Sequence, residues 1–117
     1  MPIRAFRMTL HPGQQQEYRR RHDAIWPELD AALREAGIED YRIFLDPQSH
    51  HLFAIMTLTD NHSVDQLPAL PIMQRWWDYM ADIMDTQTDN SPTEIGLEEV
   101  FSLTHEDTSA GENTPCK

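Results

Sequence analysis

Alternating apolar and polar positions open the chain. Over Ile3–Leu10 the residues Phe6, Met8 and Leu10 fall on one face, which predicts a strand. His11-Pro12-Gly13 breaks the run, and Pro12 suits the first turn of a helix. From Gln14 the period lengthens: Tyr18, His22, Ile25, Leu29, Ala32, Leu33 and Ala36 recur in steps of three and four, one helical stripe. Pro27 lies inside that stripe, lacks an N–H and crowds the preceding turn. The spacing therefore predicts one helix ending at Asp23 and a second starting at Pro27, with Gly37 closing the second.

Two more alternating runs, Tyr41–Leu45 and Leu52–Leu58, predict a hairpin around Asp46-Pro47-Gln48-Ser49. Leu52, Ala54, Met56 and Leu58 form one face of the second run, and Phe53 and Ile55 the other, so that strand is expected to be covered on both sides. Ser63-Val64-Asp65-Gln66 matches a capping box and predicts a short helix that Pro68 ends. Pro71 begins another, with Ile72, Met73, Trp76, Trp77, Met80, Ile83 and Met84 at helical spacing. Asp85–Gly96 reads as an irregular loop and Leu97–Leu103 as the last strand. Beyond Thr104 bulky apolar residues are lacking, so 1–104 is expected to be a single domain and 105–117 a disordered tail.

The predicted order is β-α-β-β-α-β, an α+β arrangement of the ferredoxin-like kind. Its helices cover one face of the sheet. The other face also bears apolar residues, and a second copy of the chain is the simplest cover, giving a symmetric homodimer.

Composition narrows the chemistry. A chain of 117 residues buries only about two thirds of its unfolded surface, which adds weight to self-association. Its formal net charge of −11 argues against nucleic acid and anionic membrane surfaces as partners, and against phosphorylated substrates. Arg19-Arg20-Arg21 is the one basic cluster, most simply a solvated face near a helix C-terminus. The single cysteine, Cys116, allows no intramolecular disulfide and fits a cytoplasmic protein. The first ten residues, interrupted by Arg4 and Arg7, do not form a secretory apolar core, and apolar stretches fall short of the roughly 20 residues that span a bilayer.

Tyr18 and His22, four residues apart, share a helix face. Histidine titrates nearest neutral pH, and a position near a helix C-terminus favours the imidazolium, pointing to a general acid; the plain alternative is a core histidine satisfied by backbone. Trp76 and Trp77 point about 100° apart, so one is expected to pack with Met73 and Met80 while the other lines a cavity. An indole face with one N–H matches a sugar ring, but an aromatic core helix explains the pair as well. Tyr41 opens a strand and can direct its hydroxyl to the same cavity. Neither a convincing metal-ligand spacing nor a glycine-rich phosphate loop is present, so no metal is expected.

The segment Tyr18-Arg19-Arg20-Arg21-His22 followed by Ile25-Trp26-Pro27-Glu28-Leu29 resembles the L-rhamnose mutarotase family. The likeness continues through Tyr41, Leu45-Asp46, Gln74-Arg75-Trp76-Trp77, Tyr79-Met80, Asp89-Asn90-Ser91-Pro92 and Glu99-Val100-Phe101, spanning residues 3–103. The resemblance implies a cofactor-free homodimeric α+β barrel that interconverts the α and β anomers of L-rhamnose. It implies that His22 is the proton donor and that Tyr18, Tyr41, Trp76 and Trp77 bind the substrate. The base that partners His22 stays open among a tyrosine hydroxyl, a carboxylate and an ordered water. The same architecture serves small oxygenases and haem-handling proteins, and fold alone does not decide function; a non-catalytic sugar-binding or dimerisation module using the same cavity is a third reading.

Overall fold

The computed structural model describes residues 2–103. Strand β1 (Ile3–Thr9) is followed by helices α1 (Gln15–Asp23) and α2 (Pro27–Glu35), then β2 (Ile38–Asp46) and β3 (His51–Leu58). A 3₁₀ turn (Val64–Ala69), helix α3 (Pro71–Met80) and the two-residue strand β4 (Ile95–Gly96) complete the order. The four strands form one antiparallel sheet in the order β2-β3-β1-β4, the ferredoxin-like topology. Within one chain the sheet is open, so any barrel has to involve a second sheet.

Pro27 divides the helical stripe as expected: α1 stops at Asp23, and Pro27 occupies the first turn of α2, where its missing N–H costs nothing. Pro12, by contrast, stays outside α1, because Gly13 takes a left-handed turn at φ +81° before the helix begins. Gly37 closes α2 at φ +101°, donating its N–H to the Arg34 carbonyl. A Cβ there would lie 2.5 Å from the Thr59 hydroxyl oxygen, so glycine is needed for space as well as for φ. In the β2–β3 turn the Asp46 carboxylate accepts hydrogen bonds from the Gln48 N–H and the Ser49 hydroxyl.

The core lies between the helices and the inner face of the sheet. Phe6, Met8 and Leu10 from the first strand region and Leu52, Ala54, Met56 and Leu58 from β3 meet Leu29, Ile72, Trp76 and Met80. Each large side chain among them contributes about 1.5–3 kcal/mol on burial. The outer face is different. Cross-strand pairs Ala5↔Ile55, Arg7↔Phe53 and Phe44↔Phe53 put these residues there, and Phe44 and Ile55 are exposed. The expected second cover of β3 is thus missing within the described chain. Arg7 lies on that face with its Nε buried and without a hydrogen-bond partner among the described residues.

Three expectations need correction. The last strand is Ile95–Gly96 and not Leu97–Leu103, because pairing with β1 is confined to Phe6↔Gly96 and Arg7↔Ile95. Past Gly96 only the Leu97 N–H, donated to the Ala5 carbonyl, continues the ladder, and Val100, Phe101 and Leu103 are exposed. The segment at Ser63 is a 3₁₀ turn that runs through Pro68 to Ala69, and Ser63 makes no side-chain cap; the His62 Nδ1 accepts the Val64 N–H instead. Arg21 is not a solvated arginine. It is buried, donating to the Glu17 carboxylate (2.7 Å), the Tyr79 carbonyl (2.7 Å) and the Asp82 carboxylate (2.9 Å), so it ties α1 to the end of α3. The expected tail, 105–117, lies outside the described residues.

Candidate active site

One cleft of about 1270 Å³ opens between the inner face of the sheet and the helices. Apolar side chains make up most of its wall, with polar and charged side chains among the rest, a make-up suited to a small-molecule site. All five residues singled out in the sequence line it: Tyr18 and His22 from α1, Tyr41 from β2, and Trp76 and Trp77 from α3. Helical spacing puts Tyr18 and His22 one turn apart, and the strand's alternation turns Tyr41 inward with Ile43 and Leu45.

The rings hold one another. His22 stacks on Tyr18 at 4.3 Å between centroids and meets Trp76 edge-on at 5.5 Å. Trp26 meets Trp76 edge-on at 5.0 Å, and Tyr79 lies 5.6 Å from it. Trp76 is buried and Trp77 half-buried, so the division of labour between the indoles holds in part: Trp76 belongs to the core and to the cleft wall at once. The Arg21 guanidinium sits 4.5 Å over the Tyr79 ring, so the buried ion network also supports the aromatic stack behind His22.

Electrostatics inside the cleft favour neutral forms. Burial lowers the His22 pKa below the ordinary value of 6.5, outweighing the Tyr18 carbonyl and the Asp23 charge, which push it upward. The expectation that the helix end favours the imidazolium is therefore overturned: desolvation is the larger effect. Burial pushes both tyrosine hydroxyls far above their ordinary range, with smaller contributions from the Tyr41 hydroxyl on Tyr18 and the Glu94 charge on Tyr41. Both therefore stay protonated and serve as hydrogen-bonding groups.

Among the lining residues to which sequence reasoning assigns no role are Arg4, Asn90, Pro92 and Glu94. Asn90 and Pro92 belong to the Asp89-Asn90-Ser91-Pro92 segment, which had carried the resemblance without a role. Asn90 adopts φ +69° and donates its side-chain amide to Asp78, while Gln74 donates to Asp78 and to the Asp89 carbonyl. These bonds fasten the loop to the helix that carries the two tryptophans. Glu94 had no signal in the sequence; burial raises its carboxyl pKa, with Arg4 partly offsetting the effect. Among the described residues no group of three or more His, Cys, Asp or Glu is arranged to hold a metal ion.

A ferredoxin-like α+β protein with an imidazole, two hydroxyls and two indoles around one cleft is equipped for proton transfer on a small uncharged ligand with an apolar edge. The sequence profile of the L-rhamnose mutarotase family matches residues 4–103. The chain belongs to the L-rhamnose mutarotase family. It is 59% identical over 99 residues to the L-rhamnose mutarotase of Paraburkholderia phytofirmans, covering 85% of this chain and 92% of that relative. It is 56% identical over 99 residues to that of Sinorhizobium fredii, covering 85% and 95%. The crystal structure of an L-rhamnose mutarotase from Formosa agariphila superposes with a TM-score of 0.82 at 42% identity, covering 89% of this chain and all of that one. A dimeric ferredoxin-like protein from Jannaschia (18% identity, TM-score 0.52) and a putative antibiotic biosynthesis monooxygenase from Bacteroides thetaiotaomicron (15%, 0.56) share the fold alone.

Proposed function

We propose that this chain interconverts the α and β anomers of L-rhamnose, with His22 as the catalytic residue and Tyr18, Tyr41, Trp76 and Trp77 binding the sugar. The observation that carries this reading is the convergence of all five side chains on one cleft of a chain that belongs to the mutarotase family. Anomer exchange requires the pyranose ring to open, the aldehyde to turn about C1–C2, and the ring to close on the opposite carbonyl face. A positioned proton-transfer group contributes about 10²–10⁴-fold to such a step. The indoles offer a surface for C–H bonds and for the deoxy methyl group, while the two tyrosines orient hydroxyls. A pocket that prefers a methyl over a hydroxymethyl group discriminates by only about 1–3 kcal/mol, so slower turnover of related hexoses is expected.

The test is saturation-transfer NMR on the anomeric protons of L-rhamnose. The wild-type chain should raise the exchange rate above that in buffer, and His22→Ala should return it to the buffer rate while the sugar still binds. A His22→Ala chain that keeps the rate but melts far earlier would make His22 structural. The reading includes a cytoplasmic, homodimeric protein, with the outer face of the sheet as the contact surface between copies. Sedimentation should give a dimer at micromolar concentration, and Phe44→Lys with Ile55→Lys should give a monomer.

A further inference from the structure

We propose that His22 works through a single nitrogen, Nε2, which takes the proton of the anomeric hydroxyl and hands that same proton to the ring oxygen, so that no second catalytic side chain is needed. The proposal rests on the mutarotase reading and replaces its open question, the identity of a partner base.

The geometry assigns the two ring nitrogens different work. Nδ1 lies 3.0 Å from the Tyr18 carbonyl oxygen, one turn back on α1. A carbonyl can only accept, so Nδ1 carries the hydrogen and donates it. In a neutral imidazole the other nitrogen then holds a free lone pair. Nε2 has no hydrogen-bond partner among the described residues. The ring is held in this orientation by three contacts: the Nδ1 bond, the stacked Tyr18 ring and the edge-on Trp76 indole. The resting state is thus a base with its lone pair unclaimed, and burial supports the neutral form.

The ionisable groups around the ring offer no comparable acid. Tyr18 shares its helix and Tyr41 faces the cleft from β2; both hold their protons tightly because they are buried. Asp23, on the same helix, favours a positive ring. Trp76, from α3, does not titrate. Arg4, from β1, also lines the cleft, as do the carboxylates of Asp23, Asp30, Glu39, Asp40, Asp65 and Glu94, and Glu94, from the segment before β4, is the one whose pKa burial raises, which makes it the competing base to test.

The chemistry closes without outside reactants. The C1 hydroxyl oxygen and the ring oxygen are both bonded to C1, so a nitrogen within hydrogen-bond reach of one reaches the other by a small tilt. The O–H pair of the C1 hydroxyl becomes the second bond of the C1 carbonyl as its proton moves to Nε2. The C1–ring-oxygen bond breaks with its electron pair on oxygen, and that oxygen takes the proton from Nε2. The imidazole returns to its Nδ1–H form. The transient imidazolium is stabilised by the Tyr18 carbonyl and the Asp23 charge, the two influences that oppose burial at this ring. After rotation about C1–C2, closure repeats the steps in reverse on the other face of the carbonyl.

The test combines nitrogen NMR of His22 in the full chain with the pH dependence of kcat/KM, corrected for the buffer rate, for wild type and Glu94→Gln. Expected are the Nδ1–H tautomer at neutral pH and a kcat/KM flat above the His22 pKa. Below that pKa, kcat/KM should fall about tenfold per pH unit, with the same midpoint in Glu94→Gln. A kcat/KM that falls as pH rises through the His22 pKa, an Nε2–H tautomer, or a midpoint that disappears in Glu94→Gln would each overturn the shuttle. Catalysis with any of those signatures refutes the shuttle alone, whereas no catalysed exchange at any pH refutes the mutarotase reading itself.

Discussion

Trp76 and Trp77 are adjacent in sequence and line the same cleft, yet their removal should cost very different amounts. Trp76 is 7% exposed and contacts the rings of Trp26, Tyr79 and His22 at 5.0, 5.6 and 5.5 Å. Truncating a buried tryptophan to alanine costs about 3–5 kcal/mol, and aromatic pairs add about 0.5–1.5 kcal/mol each beyond the area they bury. Trp76→Ala therefore belongs at the upper end, about 5 kcal/mol. A domain of this size has only about 5–15 kcal/mol in all, and a loss of 5 corresponds to roughly 20 °C or more in Tm. Trp77 is half-buried and makes no ring–ring contact among the described residues, so Trp77→Ala should cost about 1–2 kcal/mol. Both variants should weaken sugar binding. Thermal melts followed by circular dichroism, with sugar titrations by saturation-transfer difference NMR, separate the two effects. Equal losses of Tm at the two positions, or unchanged binding in Trp77→Ala, would refute the assignment of core and wall.

The buried Arg21 network should behave as a stabilising tie. Arg21→Met keeps the aliphatic stem but abandons the Tyr79 carbonyl; because Asp82 and Glu17 can return to water, the cost should be about 2 kcal/mol, less than for a fully buried pair, with Arg21→Lys intermediate in urea melts. Gly37→Ala meets both a left-handed φ and the Thr59 hydroxyl, so chemical denaturation should show a loss of about 2 kcal/mol or more, and an unchanged midpoint would contradict the packing at the α2–β2 junction. The depressed His22 pKa makes the unfolded chain the better proton acceptor. Its contribution to stability should be fully present above the ordinary value of 6.5 and be lost as pH falls toward the folded value. In His22→Gln that acid-side slope should shrink, which paired melts across the range will check.

The fold was largely legible because its signals are local. Pro27 and Gly37 punctuate the helical stripe, and the period-two runs at Ile3–Leu10 and Leu52–Leu58 sort their own faces. The grouping of the candidate residues around one cleft was legible to the same degree: a turn of helix unites Tyr18 with His22, and Trp76 and Trp77 sit on a helix whose start Pro71 fixes. What failed depended on distant partners. The spacing at Leu97–Leu103 resembles a strand, but a strand exists only where another accepts its ladder, and β1 does so at two positions. Arg21 looked like its neighbours in the arginine triplet; only Asp82 and Tyr79, about sixty residues on, distinguish it. The sign of the His22 shift was misjudged because the helix end is written in the sequence, whereas the depth of burial is not.

The same missing partner connects β4 to the outer face. Ile3, Phe44, Ile55 and Ile95 stand exposed on or beside that face, and Leu97, Val100, Phe101 and Leu103 follow in the segment that leaves it. The buried Nε of Arg7 has no acceptor among the described residues. A lone copy keeps this apolar surface in water and leaves the Arg7 Nε–H without an acceptor, two costs of the kind that association removes together. The cleft opens on the opposite, helix-covered face, so two copies meeting sheet to sheet would leave both cleft mouths free. In the proposed dimer, stability therefore depends on protein concentration by mass action, while the catalysed rate per subunit does not. Dilution that lowers Tm without changing the rate per folded subunit would separate the role of the outer face from that of the inner one; a rate that fell with association state at constant folding would place part of the site across the interface.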